Sequence, residues 1–391
     1  MLLAGAARRL LAVFELGHSR QSFNSLTASS LNAPARSRLH ASSLAGVNLH
    51  LHAEETSQES GSGLNTAKTS AAYALTFAWP YIRQQAFYRS CGLEARLVEL
   101  EDGTIMSCWI PKRSKARAVT PSVKPALVLL HAFGTSGISW NYQVGPFSKL
   151  FDLYIPDLVF FGDSTSTNLA RSELFQAECV YKILQQLGVH KFSIIGTSYG
   201  GFVAYRVAHL YPDSVHRLVI SSSGVCMDPS SDQTLCAKYN AKNIKEILLP
   251  TTVEGLKRTA RLGFYKEPRM FVPKFIWEDY LETQSMKNYK EKTELADGLV
   301  LGKADSPPLP TVPQETLIIW GEFDEVFNLK LAYQLKQHIG EKAQVVVIKN
   351  AAHVPQVEKA SEYNKKVLAF LSERETTTES ESETPSERKT Q

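Results

Sequence analysis

From Pro125 onward, short unbroken apolar runs alternate with longer stretches in which apolar positions recur every three or four residues. Ala126–Leu130 is apolar throughout, the pattern of a strand covered on both faces. Asp152–Asp157, the run from Phe192, Leu218–Ser221, Leu317–Trp320 and Val345–Ile348 are further strands by the same pattern. Between them, Leu174, Ala177, Val180, Tyr181, Leu184 and Leu187 mark one face of a helix that Gly188 would close. Helices are also predicted over Ser139–Leu150, Gly200–Leu210 (ended by Pro212), Leu329–Ile339 and Ser361–Leu371. Upstream, Leu93–Leu100 and Thr104–Ile110 are short alternating runs joined by Glu101-Asp102-Gly103, a hairpin signal. The folded part is thus predicted to begin near Gly92. Strand–helix alternation predicts an α/β fold: a mostly parallel central sheet with helices on both faces and the hairpin as an antiparallel edge.

The alternation breaks between Ser221 and Leu317. Helical stretches are predicted there around Lys238–Leu249, Val253–Tyr265 and Pro273–Thr283, with Phe264, Phe271, Phe275, Trp277 and Tyr280 among them. The proline-rich run Ser306–Pro313 returns the chain to the core. An insertion of this length inside a compact domain is usually functional, and this one is expected to form a helical lid over the C-terminal edge of the sheet. The organisation is therefore an N-terminal extension with linker (1–68), a first part of the core (69–225), the lid (226–313), a second part of the core (314–374) and an acidic, disordered tail (375–391).

Composition narrows the function classes. A formal charge of +4 over 391 residues, without a Lys/Arg block, does not suggest nucleic acid. Five cysteines without a C-x-x-C suggest neither a disulfide framework nor a zinc site; Cys226 and Cys236 could pair, but free thiols fit better. No apolar run is long enough for a spanning helix. The stretch around Ala71–Ile82 suits either a peripheral membrane contact through Phe77, Trp79, Tyr81 and Phe87 or packing on the outside of the domain. Up to Ala53 the chain holds Arg8, Arg9, Arg20, Arg36 and Arg38, many serines and one acid, Glu15. That is the composition of a transit peptide for chloroplast or mitochondrion; the alternative is an extension without an address, on a cytoplasmic protein.

The chemistry centres on Gly196-Thr197-Ser198-Tyr199-Gly200-Gly201, a G-x-S-x-G placed between a buried strand and a helix. In that context it is a nucleophile elbow, with serine on a tight turn and glycines letting strand and helix approach. A serine hydroxyl needs a base, and the base needs an orienting group. In this architecture the order is serine, acid, histidine. His353 follows the last strand on a loop, whereas His338 falls within a helix where a solvated role is normal. Asp324, beyond the end of the preceding strand, is the acid; Glu322 and Glu325 are its neighbours, and Asp228 is the rival. Backbone N–H groups should face the oxygen that gains charge: Tyr199, after the nucleophile, and Phe133, in the loop His131-Ala132-Phe133-Gly134. His131 is given no chemistry and is expected to organise that loop.

From about Leu93 to Leu371 the sequence resembles the α/β-hydrolase superfamily. The resemblance rests on Gly196–Gly201, Trp320-Gly321-Glu322-Phe323-Asp324 and Ala351-Ala352-His353-Val354-Pro355, in that order. Pro156-Asp157-Leu158 with Gly162-Asp163-Ser164 matches the loop after the family's fourth strand, where a second glycine is common and Phe160 stands instead. Ala132 departs from the usual His-Gly, and its Cβ narrows the backbone options of the turn. Within the superfamily the chain is similar to plant lid-bearing hydrolases and to the monoacylglycerol-lipase-like branch. The resemblance implies a serine hydrolase of carboxylic esters with an apolar acyl part, acting on a small-molecule ester or lipid-like substrate through an acyl-enzyme, with no metal or organic cofactor. Serine at the elbow argues against the epoxide hydrolases and haloalkane dehalogenases, which carry aspartate there. The same serine, acid and histidine would also serve carbon–carbon bond hydrolysis of a diketone-like substrate. A reading of another class is a small-ligand receptor on this fold.

Overall fold

The computed structural model describes residues 83–112, 124–266, 272–301 and 307–373. The expectations for residues 1–68, Ala71–Ile82 and the acidic tail lie outside these residues. The strands are β1 (Leu93–Glu99), β2 (Thr104–Pro111), β3 (Ala126–Leu130), β4 (Asp152–Pro156), β5 (Thr165–Ser166), β6 (Phe192–Thr197), β7 (Val215–Ser221), β8 (Glu315–Gly321) and β9 (Ala343–Ile348). They form one sheet in the order β1-β2-β4-β3-β6-β7-β8-β9, with the short β5 on β2. The pairs β1–β2 and β2–β4 are antiparallel. From β4 through β9 every pair is parallel.

The two faces of the sheet separate the core into two clusters, because side chains alternate along each strand. Val128 and Leu130 of β3 face one cluster, together with Val180 and Ile183 of helix Glu173–Gln186, Val203 and Val207 of helix Tyr199–Leu210, and Leu335 of helix Lys330–Ile339. Leu127 and Leu129 face the other, against Val144 and Phe147 of helix Asn141–Phe147 and Tyr363, Val367 and Phe370 of helix Ala360–Ser372. The unbroken apolar runs are explained by this double cover.

Three features differ from the sequence expectation. A helix at 83–90 precedes Gly92. Its Tyr88 is buried, with the hydroxyl donating to the Gly137 carbonyl (3.0 Å) and the ring edge-on to Trp109. The helix expected around Lys238–Leu249 is two: Pro229–Tyr239 stops at Asn240, which is left-handed at φ 49, and Ile244–Leu248 starts afresh on the Asn243 side chain. Helix Tyr289–Asp297 was not predicted, since Leu295 is its one buried apolar side chain. Helix Lys274–Tyr280 runs on into a π-helical turn, Leu281–Met286. The insertion between β7 and β8 touches the loops that follow β3, β4, β8 and β9. Tyr280 reaches Gly134, Lys287 reaches Asp163, Tyr239 reaches Glu325, and the Val354 N–H donates to the Gly263 carbonyl. All four loops leave the C-terminal edge of the sheet.

Candidate active site

Ser198 stands between β6 and the first turn of helix Tyr199–Leu210, at φ 52 and ψ −119. A non-glycine residue rarely holds positive φ, and it persists here because the surroundings dictate it. A Cβ on Gly196 would lie 2.1 Å from the Gly200 carbonyl oxygen, and one on Gly200 would lie 2.4 Å from that of Leu130. Strand, turn and helix are thus in backbone contact. The Ser198 N–H donates to Ser221 O across the β6–β7 pair (2.9 Å), which anchors the turn from below.

The structure brings Ser198, His353 and Asp324 together, all buried. His353 Nε2 is 3.0 Å from Ser198 Oγ, and Nδ1 is 3.0 and 3.1 Å from the two Asp324 oxygens. Asp324 Oδ1 also accepts from the N–H groups of Val326 and Phe327, each at 2.9 Å. The carboxylate is therefore held before it meets the ring. Because it accepts, Nδ1 must donate, and that leaves Nε2 to accept the serine proton. The rival positions are committed elsewhere. Asp228 is exposed and caps helix Pro229–Tyr239 by accepting the Ser230 N–H (2.8 Å). Glu322 accepts the Asn350 N–H, Glu325 pairs with Lys238 at 2.9 Å, and His338 contacts the Pro310 carbonyl.

The loop after β3 lies directly against the start of the elbow helix: the Phe133 ring is edge-on to Tyr199 at 5.4 Å and to Phe161 at 5.1 Å. Its geometry follows from His131. Nε2 accepts the Leu158 N–H (2.9 Å), so Nδ1 carries the proton and donates to the Ala132 carbonyl at 2.8 Å. Burial pushes the His131 pKa down to about 4, which keeps the ring neutral and this arrangement intact. The Thr135 hydroxyl donates to the same carbonyl at 2.9 Å. A trans peptide is planar, so holding the Ala132 C=O on one side turns the Phe133 N–H to the other. Tyr199 opens its helix, where first-turn N–H groups have no intrahelical acceptor. Ala132 takes no positive φ; Gly134 does, at φ 73, so the alanine is accommodated. Phe160, in the place of the common second glycine, is held at φ 74 with its ring under the Arg171 guanidinium at 4.4 Å.

Residues 125–360 match the family described as alpha/beta hydrolase fold. The chain belongs to the α/β-hydrolase fold family. Among its relatives are epoxide hydrolase 3 of Xenopus tropicalis (26% identical, covering 64% of this chain and 72% of the relative) and monoacylglycerol lipase ABHD6 of Homo sapiens (25%, covering 75% and 88%). A third is 2-hydroxy-6-oxo-6-phenylhexa-2,4-dienoate hydrolase of Comamonas testosteroni (25%, covering 64% and 88%). A structure of a putative lipase from Acinetobacter baumannii AYE shares the fold, with a TM-score of 0.63 at 22% identity over 74% of this chain and 95% of that one. Two residues that shape this α/β-hydrolase site escaped the sequence reading. Thr135 carried a faint signal, a hydroxyl three places after Ala132 in a turn. Tyr280 carried none, being 146 positions from its partner Gly134.

Proposed function

We propose that the protein is a serine hydrolase of carboxylic esters with an apolar, lipid-like acyl part. The observation that carries this is the continuous hydrogen-bonded line from Ser198 Oγ through His353 to Asp324, with Ser198 on a strained turn beside the Phe133 loop. Ser198 Oγ bonds to the acyl carbon as His353 Nε2 takes its proton, and Asp324 stabilises the imidazolium without accepting that proton. The carbonyl oxygen, now negative, is received by the N–H groups of Phe133 and Tyr199. Collapse breaks the ester C–O bond, and the leaving alcohol takes the proton from His353. Water then attacks the acyl-enzyme by the same exchange and releases the acid, restoring Ser198.

Support for an apolar acyl group comes from the rings around the site: Phe133, Phe161, Tyr199 and Phe202, with Phe327 edge-on to His353 at 5.6 Å. The lipase among the relatives points the same way. Carbon–carbon bond hydrolysis is the second reading, favoured by the Comamonas testosteroni relative, which this chain spans over 88% of its length.

A fluorophosphonate probe should label the protein, and Ser198→Ala should abolish the labelling; equal labelling of the variant would end the proposal. A panel of p-nitrophenyl esters of rising chain length, with monoacylglycerols and a vinylogous diketone alongside, decides between the readings. Preferential turnover of the longer esters is the expected outcome, and turnover of the diketone alone would replace it with the second reading.

A further inference from the structure

The turn that presents Phe133 is pinned from two directions. Within the core loop, His131 and Thr135 hold the Ala132 carbonyl. From the insertion, the Tyr280 hydroxyl donates to the Gly134 carbonyl at 2.9 Å. The carbonyl of the peptide that carries the Phe133 N–H is thus held locally, and the carbonyl of Gly134, the residue after Phe133, by a residue far along the chain. Tyr280 stands where helix Lys274–Tyr280 passes into the π-helical turn Leu281–Met286, a kind of irregularity that often accompanies functional sites. Burial pushes its phenol up to about 12, so the hydroxyl stays protonated and remains a donor over any working pH. The stretch that carries it is fastened separately: Lys287 pairs with Asp163 at 3.2 Å, and the Asn288 amide donates to the Phe160 carbonyl at 3.1 Å. Loss of the Tyr280 hydroxyl would therefore release the Gly134 side of the turn, leaving the Ala132 carbonyl held and the insertion docked.

We infer that Tyr280 is a positioning residue: its hydroxyl, by holding the Gly134 carbonyl, keeps the Phe133 N–H aimed where the oxyanion forms. The inference rests on the ester-hydrolase reading above. Tyr280 itself touches no reacting atom. It makes the helical insertion part of the apparatus that stabilises the transition state, in addition to any cover it gives the substrate. A donor that serves only the developing charge affects kcat and leaves ground-state binding alone.

The test is Tyr280→Phe, assayed with p-nitrophenyl acetate, whose acyl group is too short to need the insertion. Removing an oxyanion donor outright costs about 10²–10³ in kcat, and loosening one of two should cost about tenfold. The expected result is that fall in kcat, counted per fluorophosphonate-labelled serine so that misfolded molecules do not enter, with KM within about twofold. Affinity for a phenylboronic acid, which forms a tetrahedral adduct on serine, should weaken by a similar factor. Thr283→Ala, which removes an exposed hydroxyl bonded to Asp279 within the same stretch, should change none of these. Wild-type kcat and boronate affinity in Tyr280→Phe would overturn the inference, and so would a loss confined to KM, the mark of a substrate contact. If the unaltered protein neither takes the probe nor turns over any ester, the ester-hydrolase reading fails and the inference with it. Normal wild-type turnover with an unaffected Tyr280→Phe removes the inference alone.

Discussion

Asp324 holds three donors with two oxygens: the His353 ring and the N–H groups of Val326 and Phe327. Replacing it by asparagine leaves the shape but offers an NH2 to a ring nitrogen that must donate, which selects the wrong imidazole tautomer. Asp324→Asn should lower kcat by about 10⁴-fold, as loss of the triad acid does in serine hydrolases of this logic. Asp228→Asn, at an exposed helix cap, should leave ester turnover unchanged, and kinetics on the two variants in parallel will separate them. Phe160 shows the opposite economy at the residue scale. Its left-handed backbone costs about 1–2 kcal/mol, and it persists because its ring is buried and stacked on Arg171.

At the scale of elements, Glu173 joins three of them. From the first turn of helix Glu173–Gln186 it accepts from Arg206 of helix Tyr199–Leu210 at 2.9 and 3.1 Å, and its other oxygen accepts the Val300 N–H at 2.9 Å, after helix Tyr289–Asp297. Both charged side chains are buried. Removing one partner strands the other in the core. Glu173→Ala should therefore cost about 3–5 kcal/mol in denaturant unfolding, and pairing it with Arg206→Met should restore most of that loss. A double variant no more stable than the single one would show that the pair does not behave as a unit. Through the Val300 N–H the same carboxylate fastens the insertion to helix Glu173–Gln186, so both variants also report on how far the insertion depends on the core.

At the scale of the whole molecule, two buried ionisable groups pull stability in opposite directions with pH. Burial raises the Asp157 pKa to about 6, although the Gly137 and Asp163 N–H groups donate to it. The folded state thus keeps this proton to higher pH than the unfolded chain, and stability falls as pH rises from about 4 to about 6. His131 behaves in reverse: with its pKa lowered to about 4, the unfolded chain binds the extra proton, so stability rises with pH up to about 6.5. Replacing Asp157 by asparagine removes the falling component. Urea titrations from about pH 3 to pH 7 should show the variant gaining on the wild type by on the order of 3 kcal/mol across that range. A constant difference would mean that Asp157 does not titrate in the folded protein.

Much of the fold was legible because double burial writes unbroken apolar runs into β3 and β8, and because G-x-S-x-G has its meaning only between a strand and a helix. Helix Tyr289–Asp297 was not legible, since Leu295 is its one buried apolar side chain and Lys292 and Glu294 reach partners that no periodicity reveals. The sequence by itself determined the strand–helix order, the hydrolase family and the choice of Ser198, Asp324 and His353 as candidates, because each is tied to a local pattern at a strand's end. Only the tertiary structure decided that Asp324 rather than Asp228 meets the His353 ring, that His131 is neutral and clamps Ala132, and that Tyr280 closes on Gly134. Apart from the His131–Ala132 bond itself, which the Leu158 N–H orients from 27 positions away, these are contacts across tens to more than a hundred positions. They depend on where packing of the insertion and the sheet brings distant loops together, and local propensity carries no record of that.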